Sequence, residues 1–499
     1  MRFFLPFSVV LRFLPLGVEA LFETAFHSSS VVVQPFTILE RSPLYDPEDI
    51  NLFLMCPNGG AVAQPGPAIY KSSGELVWAD SSIGNCFDFN IQTYDGQQYF
   101  TLWVGAEGQQ MGFGTVLMLN SSYEVVRNVS VVNPEGTDFH EFNIVKPENK
   151  TALISAFHTI PADLSSIGGP VEGWYSGGVV QEIDIASGDV LFNWTTFDHI
   201  SLDESYNNIS LTDQGGSEAN PFDAVHINSI DKDKEGNYII SARHSQAIYK
   251  IAANGTILWR LGGKTSDFTP IGNGTEFHFQ HHARWRFDET HLSLYDNGAA
   301  VLASTVNIID EPVATGKYLK VDQEKMTVSL AKRFFPGPNR NYTLAEGSIE
   351  PYGDTVVVGY GIVPWLEAYS FDTEKLLFSA VIGPNNASLW DGDISNYRAF
   401  QTSTLEFTGH PTQPPNVSVT DGDIYVSWNG ATHVASYTLF TGRSADSVSQ
   451  KVTSVRKSGF ETKISAKGSH DFISVIAHAA NGTALGNSAV YKISDGSIA

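Results

Sequence analysis

One phrase recurs six times in this chain. A strand-like run leads into a turn carrying Gly, Ser, Asn or Asp, and a second strand-like run follows. The copies are IYKSSGELVW (69–78), VLMLNSSYEVV (116–126), VQEIDIASGDVLFNW (180–194), YKIAANGTILW (249–259), YLKVDQEKMTVSL (318–330) and LEAYSFDTEKLLF (366–378), at intervals of about 45–70 residues. Short apolar or alternating runs bounded by turn formers read as strands. Helix signals are nearly absent. Hairpins repeated at this spacing suit small sheets arranged radially, an architecture that protects strand edges. The expected fold class is therefore all-β, with a six-bladed β-propeller over residues 21–407. A large β-sandwich built from the same hairpins is the alternative.

After Phe407 the pattern changes. The linker GHPTQPP (409–415) precedes strictly alternating runs such as NVSVTDGDIYVSW and FISVIAHA. Alternation of this kind marks half-buried strands of a sandwich. Residues 414–499 read as a small β-sandwich of fibronectin III or immunoglobulin type, with Trp428 and Tyr437 as its core aromatics.

The chain has 499 residues and a formal net charge of −24. Such an acidic surface argues against nucleic acid or an anionic membrane as partner, since both require a basic footprint. The first 20 residues, MRFFLPFSVVLRFLPLGVEA, combine Arg2, an apolar run and small residues at Val18 and Ala20. They read as a secretory signal peptide, residues 1–20. No other apolar run approaches the roughly 20 residues that span a bilayer. Eleven Asn-X-Ser/Thr sequons, at Asn120, Asn128, Asn149, Asn193, Asn208, Asn254, Asn273, Asn341, Asn386, Asn416 and Asn481, agree with a glycosylated chain that is secreted or held in the secretory lumen. The two cysteines, Cys56 and Cys86, are expected to form a disulfide there, although two buried thiols remain an alternative.

Histidine and arginine concentrate between Asp223 and Arg284. Alternation predicts that His226 and Asn228 share one face of a strand. Arg243 ends the next strand, YIISARHS, and Gln280-His281-His282-Ala-Arg284-Trp285 follows. Asp138-Phe-His140 offers a further imidazole from an earlier repeat. Imidazoles beside arginine suit acid–base work, nucleophilic attack or the holding of an oxyanion. The spacing has no HxH or HExxH logic, so no metal is expected. A phosphate cradle, a GxSxG elbow and a CxxC pair are also missing from the sequence, and no cofactor is expected.

With these residues in view, the chain resembles the arylsulfotransferase-like propeller family, and within it a secreted fungal branch. The resemblance rests on D-x-x-H-x-N-S-I, S-x-R-H, W-x-L-G-G and F-x-x-Q-H-x-A-R-W, and covers most of residues 35–405. It implies a six-bladed propeller. It also implies transfer of a sulfuryl group between phenols without a nucleotide. His281 would be the nucleophile, and His140, His226, Asn228 and Arg243 would support it. His282, Arg284 and Trp285 are expected to bind substrate. His282 is an additional titratable group beside the nucleophile.

Fungal proteins of this kind also imply a different reaction, hetero-Diels–Alder coupling of a phenolic or tropolone o-quinone methide with a terpene such as humulene, in tropolone sesquiterpenoid biosynthesis. Expected partners are thus small phenolic and terpene substrates. The first expectation is the cyclase, the second the aryl sulfotransferase. A non-catalytic binding propeller is the third, because fold alone does not select a function.

Overall fold

A computed structural model describes residues 23–499 except 109–110, 133–135, 304–305, 339–340, 384–392 and 466–470. The expected signal peptide and the sequon at Asn386 lie outside the described residues. Among the described residues the helices are three-residue 3-10 turns, and strands dominate.

Six sheets each contain a four-strand antiparallel path. The first runs through Phe400–Ser403, Asn51–Met55, Ala68–Lys71 and Leu76–Ala79. The second is Cys86–Tyr94, Gln97–Glu107, Gly112–Leu119 and Val125–Val129. The third is Phe142–Ile144, Thr151–Ala162, Gly173–Asp184 and Val190–Thr195. The fourth is Ile227–Lys232, Tyr238–Ala242, Ala247–Ile251 and Ile257–Gly262. The fifth is His281–Arg286, His291–Asp296, Thr315–Asp322 and Thr327–Phe334. The sixth is Ser348–Tyr352, Thr355–Gly359, Trp365–Ser370 and Leu376–Ile382, extended by Phe36–Arg41.

Each of the six recurrent phrases forms the last two strands of one path. The cause is local turn chemistry. In YKIAANGTILW, Gly255 takes φ +90° and donates its N–H to Ala252 O at 2.8 Å, and Asn254 Oδ1 accepts from Thr256 N at 3.1 Å. The flanking strands then register Ile240 on Tyr249 and Ile248 on Leu261.

Apolar side chains fill the space between neighbouring sheets. Phe157, Val180 and Trp194 meet Ile227, Ile230, Ile240 and Tyr249 in one such layer. Burying each large apolar side chain stabilises the fold by about 1.5–3 kcal/mol before ordering costs. The first strands of successive sheets lie against one another in a ring. Phe400–Ser403 touches Cys86–Tyr94, which touches Phe142–Ile144; Ile227–Lys232 touches His281–Arg286, then Ser348–Tyr352 and Phe400–Ser403 again. Asn143 bridges the remaining step through a bond to Ile230 O at 3.3 Å. The chain ends interlock the first and sixth sheets, because Phe400–Ser403 pairs with Asn51–Met55 and Phe36–Arg41 with Leu376–Ile382. The Cys56–Cys86 disulfide joins the first and second sheets.

Beyond Phe407, a three-stranded sheet (Asn416–Thr420, Asp423–Ser427, Glu461–Ile464) accompanies a second sheet ordered Gln450–Arg456, Ser436–Gly442, Phe472–His478, Ala484–Asn487. Ile424, Val426, Tyr437, Leu439, Ile464 and Val475 form their shared core. Tyr437 is fully buried, as expected. Trp428 is only half-buried and packs against that core from its margin, its indole N–H bonded to Gln413 O at 2.6 Å. The joint with the ring of sheets is specific. Tyr123 stacks on Trp78 at 4.6 Å and donates its hydroxyl to Gly430 O at 2.8 Å. Gly430 has φ +88°, and a Cβ there would lie 2.3 Å from the Tyr123 ring, so only glycine fits.

Candidate active site

Side chains carried where the first strands begin converge on the ring's interior. His140 precedes Phe142–Ile144, His226 precedes Ile227–Lys232, and His281 opens His281–Arg286. The His140 and His226 rings stand 4.7 Å apart and nearly perpendicular, and His226 lies 4.9 Å from His244. The sequence pattern predicted His226 and Asn228 on one strand face. His226 instead takes φ +54° just before the strand, and a register shift separates Ile227 from Ser229. Strand alternation therefore does not reach His226. A turn conformation aims its ring.

Each of the three imidazoles is oriented by its Nδ1. Asp138 Oδ2 accepts from His140 Nδ1 at 2.6 Å, Asp223 Oδ2 from His226 Nδ1 at 2.6 Å, and Asn297 Oδ1 from His281 Nδ1 at 2.7 Å. In His226 and His281, which burial keeps neutral, the proton is then held on Nδ1 and Nε2 keeps its lone pair. At His281, Nε2 accepts the Glu346 N–H at 3.3 Å. Arg243 donates to His244 Nε2 at 2.6 Å and to Leu344 O at 2.9 Å, and its guanidinium faces the Phe279 ring at 5.8 Å. Asn228 is fully buried and donates from Nδ2 to Gln280 O at 2.7 Å.

Two further features mark this as a site. Buried polar atoms without partners gather here: Asp223 Oδ1, Asn228 Oδ1, Arg243 Nε, Gln280 Oε1 and Glu346 Oε2. Buried polar groups are nearly always paired, so such a cluster is hydrogen-bonding capacity kept for a ligand. Left-handed backbone also accumulates, at His226 (φ +54°), Gln246 (+49°), Phe279 (+53°), His282 (+55°) and Glu346 (+62°). Conformations of this type cost about 1–3 kcal/mol each and cluster at functional sites.

The pattern of the arylsulfotransferase (ASST) family matches residues 90–382, more than half of the chain and the part that carries all three of these imidazoles. The chain belongs to the arylsulfotransferase family. No curated protein matches it. Among solved structures, it is similar to a protein of unknown function from Bacteroides caccae at 13% identity, covering 70% of this chain and 98% of that one, with a TM-score of 0.39. TolB from Acinetobacter baumannii is likewise 13% identical, covering 70% of this chain and 67% of that one, with a TM-score of 0.35. The β-propeller domain of Cps50 (Swd1) from Myceliophteria thermophila is 10% identical, covering 60% of this chain and 88% of that one, with a TM-score of 0.34. These likenesses are loose, and the family membership rests on the sequence pattern.

In this arylsulfotransferase-family chain, burial sets the protonation of the site. It pulls His226 well below the ordinary histidine range, helped by His140 and Arg243. Burial does the same to His281, with Arg243 adding and Asn297 opposing. His244 is lowered to about 3, chiefly by burial against the opposing pull of Asp223. Burial also lowers Arg243, to about 10. For Asp138, burial pushes upward, but His140 and the N–H groups of Gly112 and His140 outweigh it and the net direction is down. His226, His244 and His281 are thus neutral at pH 7, and Arg243 is the cation beside them.

Among the described residues, Asp223, His226 and His244 gather ligand-type atoms closely enough to consider a metal. The fit is poor. His226 Nδ1 and Asp223 Oδ2 already bond each other, and Arg243 occupies His244 Nε2. A cation there would face a guanidinium.

The structure brings His140, His226, Asn228, Arg243 and His281 together. It does not bring His282, Arg284 and Trp285 to them. His282 takes φ +55° and the strand register shifts between His281 and Arg284, so regular alternation is broken there, and these three line a separate polar cavity of about 510 Å³. His282 Nδ1 contacts the Ile349 backbone at 3.1 Å, Arg284 pairs with Glu141 at 2.7 Å, and Trp285 meets Trp259 edge-on. Between the cavity and the histidines lies Arg398. It donates to His140 O at 2.7 Å, to Asn228 O at 2.6 Å and to Asp88 at 2.9 Å. Sequence reasoning missed Asn297, Glu346, Tyr397 and Arg398, which have no motif of their own. The carboxylates Asp138 and Asp223 carried a signal, in D-x-H and D-x-x-H.

Proposed function

We propose that this chain is a secreted enzyme acting on the phenolic oxygen of aromatic substrates, and that it moves a sulfuryl group from an aryl sulfate to a phenol without a nucleotide. The observation that carries this reading is His281: Asn297 fixes its Nδ1 proton, and the neutral imidazole keeps a lone pair on Nε2, engaged by the Glu346 N–H at a long 3.3 Å that an incoming sulfuryl group would displace. Nε2 attacks sulfur, the S–O bond breaks, and the aryl oxygen leaves with the electron pair. Arg243 and Asn228 offset charge on the sulfuryl oxygens. An acceptor phenol then takes the group from nitrogen, completing two easier steps in place of one.

The six sheets with their contacting first strands support a six-bladed propeller over 21–407. The two sheets beyond Phe407 support a β-sandwich over 414–499. The disulfide supports passage through an oxidising compartment, as does the exposure or half-burial of all ten described sequon asparagines. Among the described residues, no helix is long and apolar enough to cross a membrane.

A second reading is hetero-Diels–Alder coupling of a phenolic or tropolone o-quinone methide with a terpene such as humulene. It is favoured by the aromatic wall of Phe139, Phe157 and Tyr397 around His140 and His226. Such a wall holds an apolar partner in reactive pose and excludes water. Incubation with an aryl sulfate and an acceptor phenol separates the two. Transfer that His281→Ala abolishes supports the first. No transfer, with a changed stereochemical ratio in the coupling reaction, supports the second. Binding without turnover of either kind leaves a binding propeller.

A further inference from the structure

Glu346 has no part in the family resemblance, and it is built into the site more tightly than a bystander would be. Three residues close a hydrogen-bonded loop. His281 Nδ1 donates to Asn297 Oδ1 at 2.7 Å, Asn297 Nδ2 donates to Glu346 O at 2.9 Å, and Glu346 N donates to His281 Nε2 at 3.3 Å. The segment before it is held by Arg243, which donates to Leu344 O at 2.9 Å. Glu346 takes φ +62°, and Gly361 makes room for it, since a Cβ there would lie 2.4 Å from Glu346 Cβ. A strained, doubly tethered backbone carries a side chain whose Oε2 is buried and has no hydrogen-bond partner.

We propose that Glu346 is the proton donor and acceptor for the phenolic oxygen handled beside His281. This rests on the reading of the site as one for phenolic oxygen. In the first half-reaction the aryl oxygen leaves sulfur with the bonding pair and takes the Glu346 carboxyl proton, giving phenol and a carboxylate. In the second, that carboxylate takes the proton of the incoming phenol as its oxygen attacks sulfur on His281 Nε2. Atoms and charges balance, and the carboxyl returns to its starting state.

The charged groups that act on the carboxyl fit this role. Burial raises its pKa to about 8, the Glu107 carboxylate on the strand Gln97–Glu107 adds to that, and Arg243 on the turn after Tyr238–Ala242 opposes it. His281, which contacts the Glu346 backbone, stays neutral. Glu346 is therefore protonated at pH 7 and close enough to neutrality to give up and recover a proton. An acid with its pKa near working pH is the efficient kind.

The test uses 4-nitrophenol as the probe, and compares the full chain with Glu346→Gln between pH 6 and 9. For the wild type, affinity for the nitrophenolate should fall about tenfold for each pH unit above the carboxyl's pKa, because ionised Glu346 no longer donates. In Glu346→Gln that fall should vanish while binding persists. The same limb in both proteins overturns the assignment of Glu346 and leaves the site reading standing. No binding by the wild type overturns both. Where transfer is measured, Glu346→Gln should slow release of unsubstituted phenol by about 100-fold and leave release of 4-nitrophenol, a better leaving group, nearly unchanged. Equal losses for the two donors would mean that the residue has only a structural role.

Discussion

Replacing Arg398 by methionine tests how the site is held. Arg398 is 2% exposed and makes four contacts from one guanidinium. Two go to the carbonyls of His140 and Asn228, at 2.7 and 2.6 Å, on the third and fourth sheets. Two go to carboxylates, Asp88 at 2.9 Å and Glu141 at 3.4 Å. The carboxylates hold the guanidinium above its ordinary pKa against burial, so it is charged throughout the working range. Methionine keeps the stem but leaves Asn228 O and Asp88 without the donor Arg398 supplied, and leaves His140 O only the Tyr397 hydroxyl at 3.5 Å. Glu141 retains Arg284 at 2.7 Å. Asp88 is already raised to about 6 by burial, with Arg398 pulling it down, so on losing Arg398 it takes up a proton. An unpaired buried carbonyl costs about 1–3 kcal/mol, and a weakened one costs less. Breaking a buried pair from one side costs about 3–5 kcal/mol overall. The expected loss is about 3–5 kcal/mol in chemical denaturation, followed by tryptophan fluorescence at pH 7. Adding Asp88→Asn removes the stranded carboxyl, so the double variant should lose at least about 1 kcal/mol less than the sum of the singles. A loss below about 1 kcal/mol for Arg398→Met would refute the view that this guanidinium rivets the histidine-bearing segments.

Two more predictions concern stability. His226, His244, His281 and His282 are buried with folded pKa values below that of the unfolded chain. Below pH 6.5 the unfolded chain therefore binds more protons, and each histidine should remove about 1.4 kcal/mol of stability per pH unit as pH falls from 6.5 toward its folded pKa, which for His244 is about 3. Glu346 has the opposite sign, its contribution being lost progressively as pH rises from the ordinary glutamate value of 4.5 to about 8. Denaturation midpoints should thus fall on both sides of neutrality, more steeply on the acid side; midpoints level from pH 7 to pH 5 would contradict the neutral-histidine assignment. Replacing Cys56 and Cys86 together by serine opens a loop closed across 30 residues, and should lower stability by about 3–4 kcal/mol in the same assay.

The repeats were the most legible part of the fold, because the turn chemistry of pairs such as Asn254-Gly255 acts over a few residues. The half-burial of Trp428 was not legible, since alternation gives a face but not how far the partner sheet extends. The candidate site was readable where a motif keeps its residues close, as at His226, Asn228 and Arg243. His282, Arg284 and Trp285 lie in the neighbouring cavity rather than beside His281, because a left-handed residue and a register shift after His281 break the alternation that sequence reading assumes. Asn297, Glu346 and Arg398 come from the fifth and sixth sheets and the closing strand. Asn297 meets His281 across the fifth sheet's own first hairpin, whereas Glu346 and Arg398 reach His281 and His140 from other sheets, and no local pattern encodes that.

The most direct test of the central claim is mass spectrometry of the protein after brief exposure to 4-nitrophenyl sulfate without acceptor. The account predicts a sulfonate on His281, removed when an acceptor phenol is added and lacking in His281→Ala. Nitrophenol release with an unmodified His281 would contradict it.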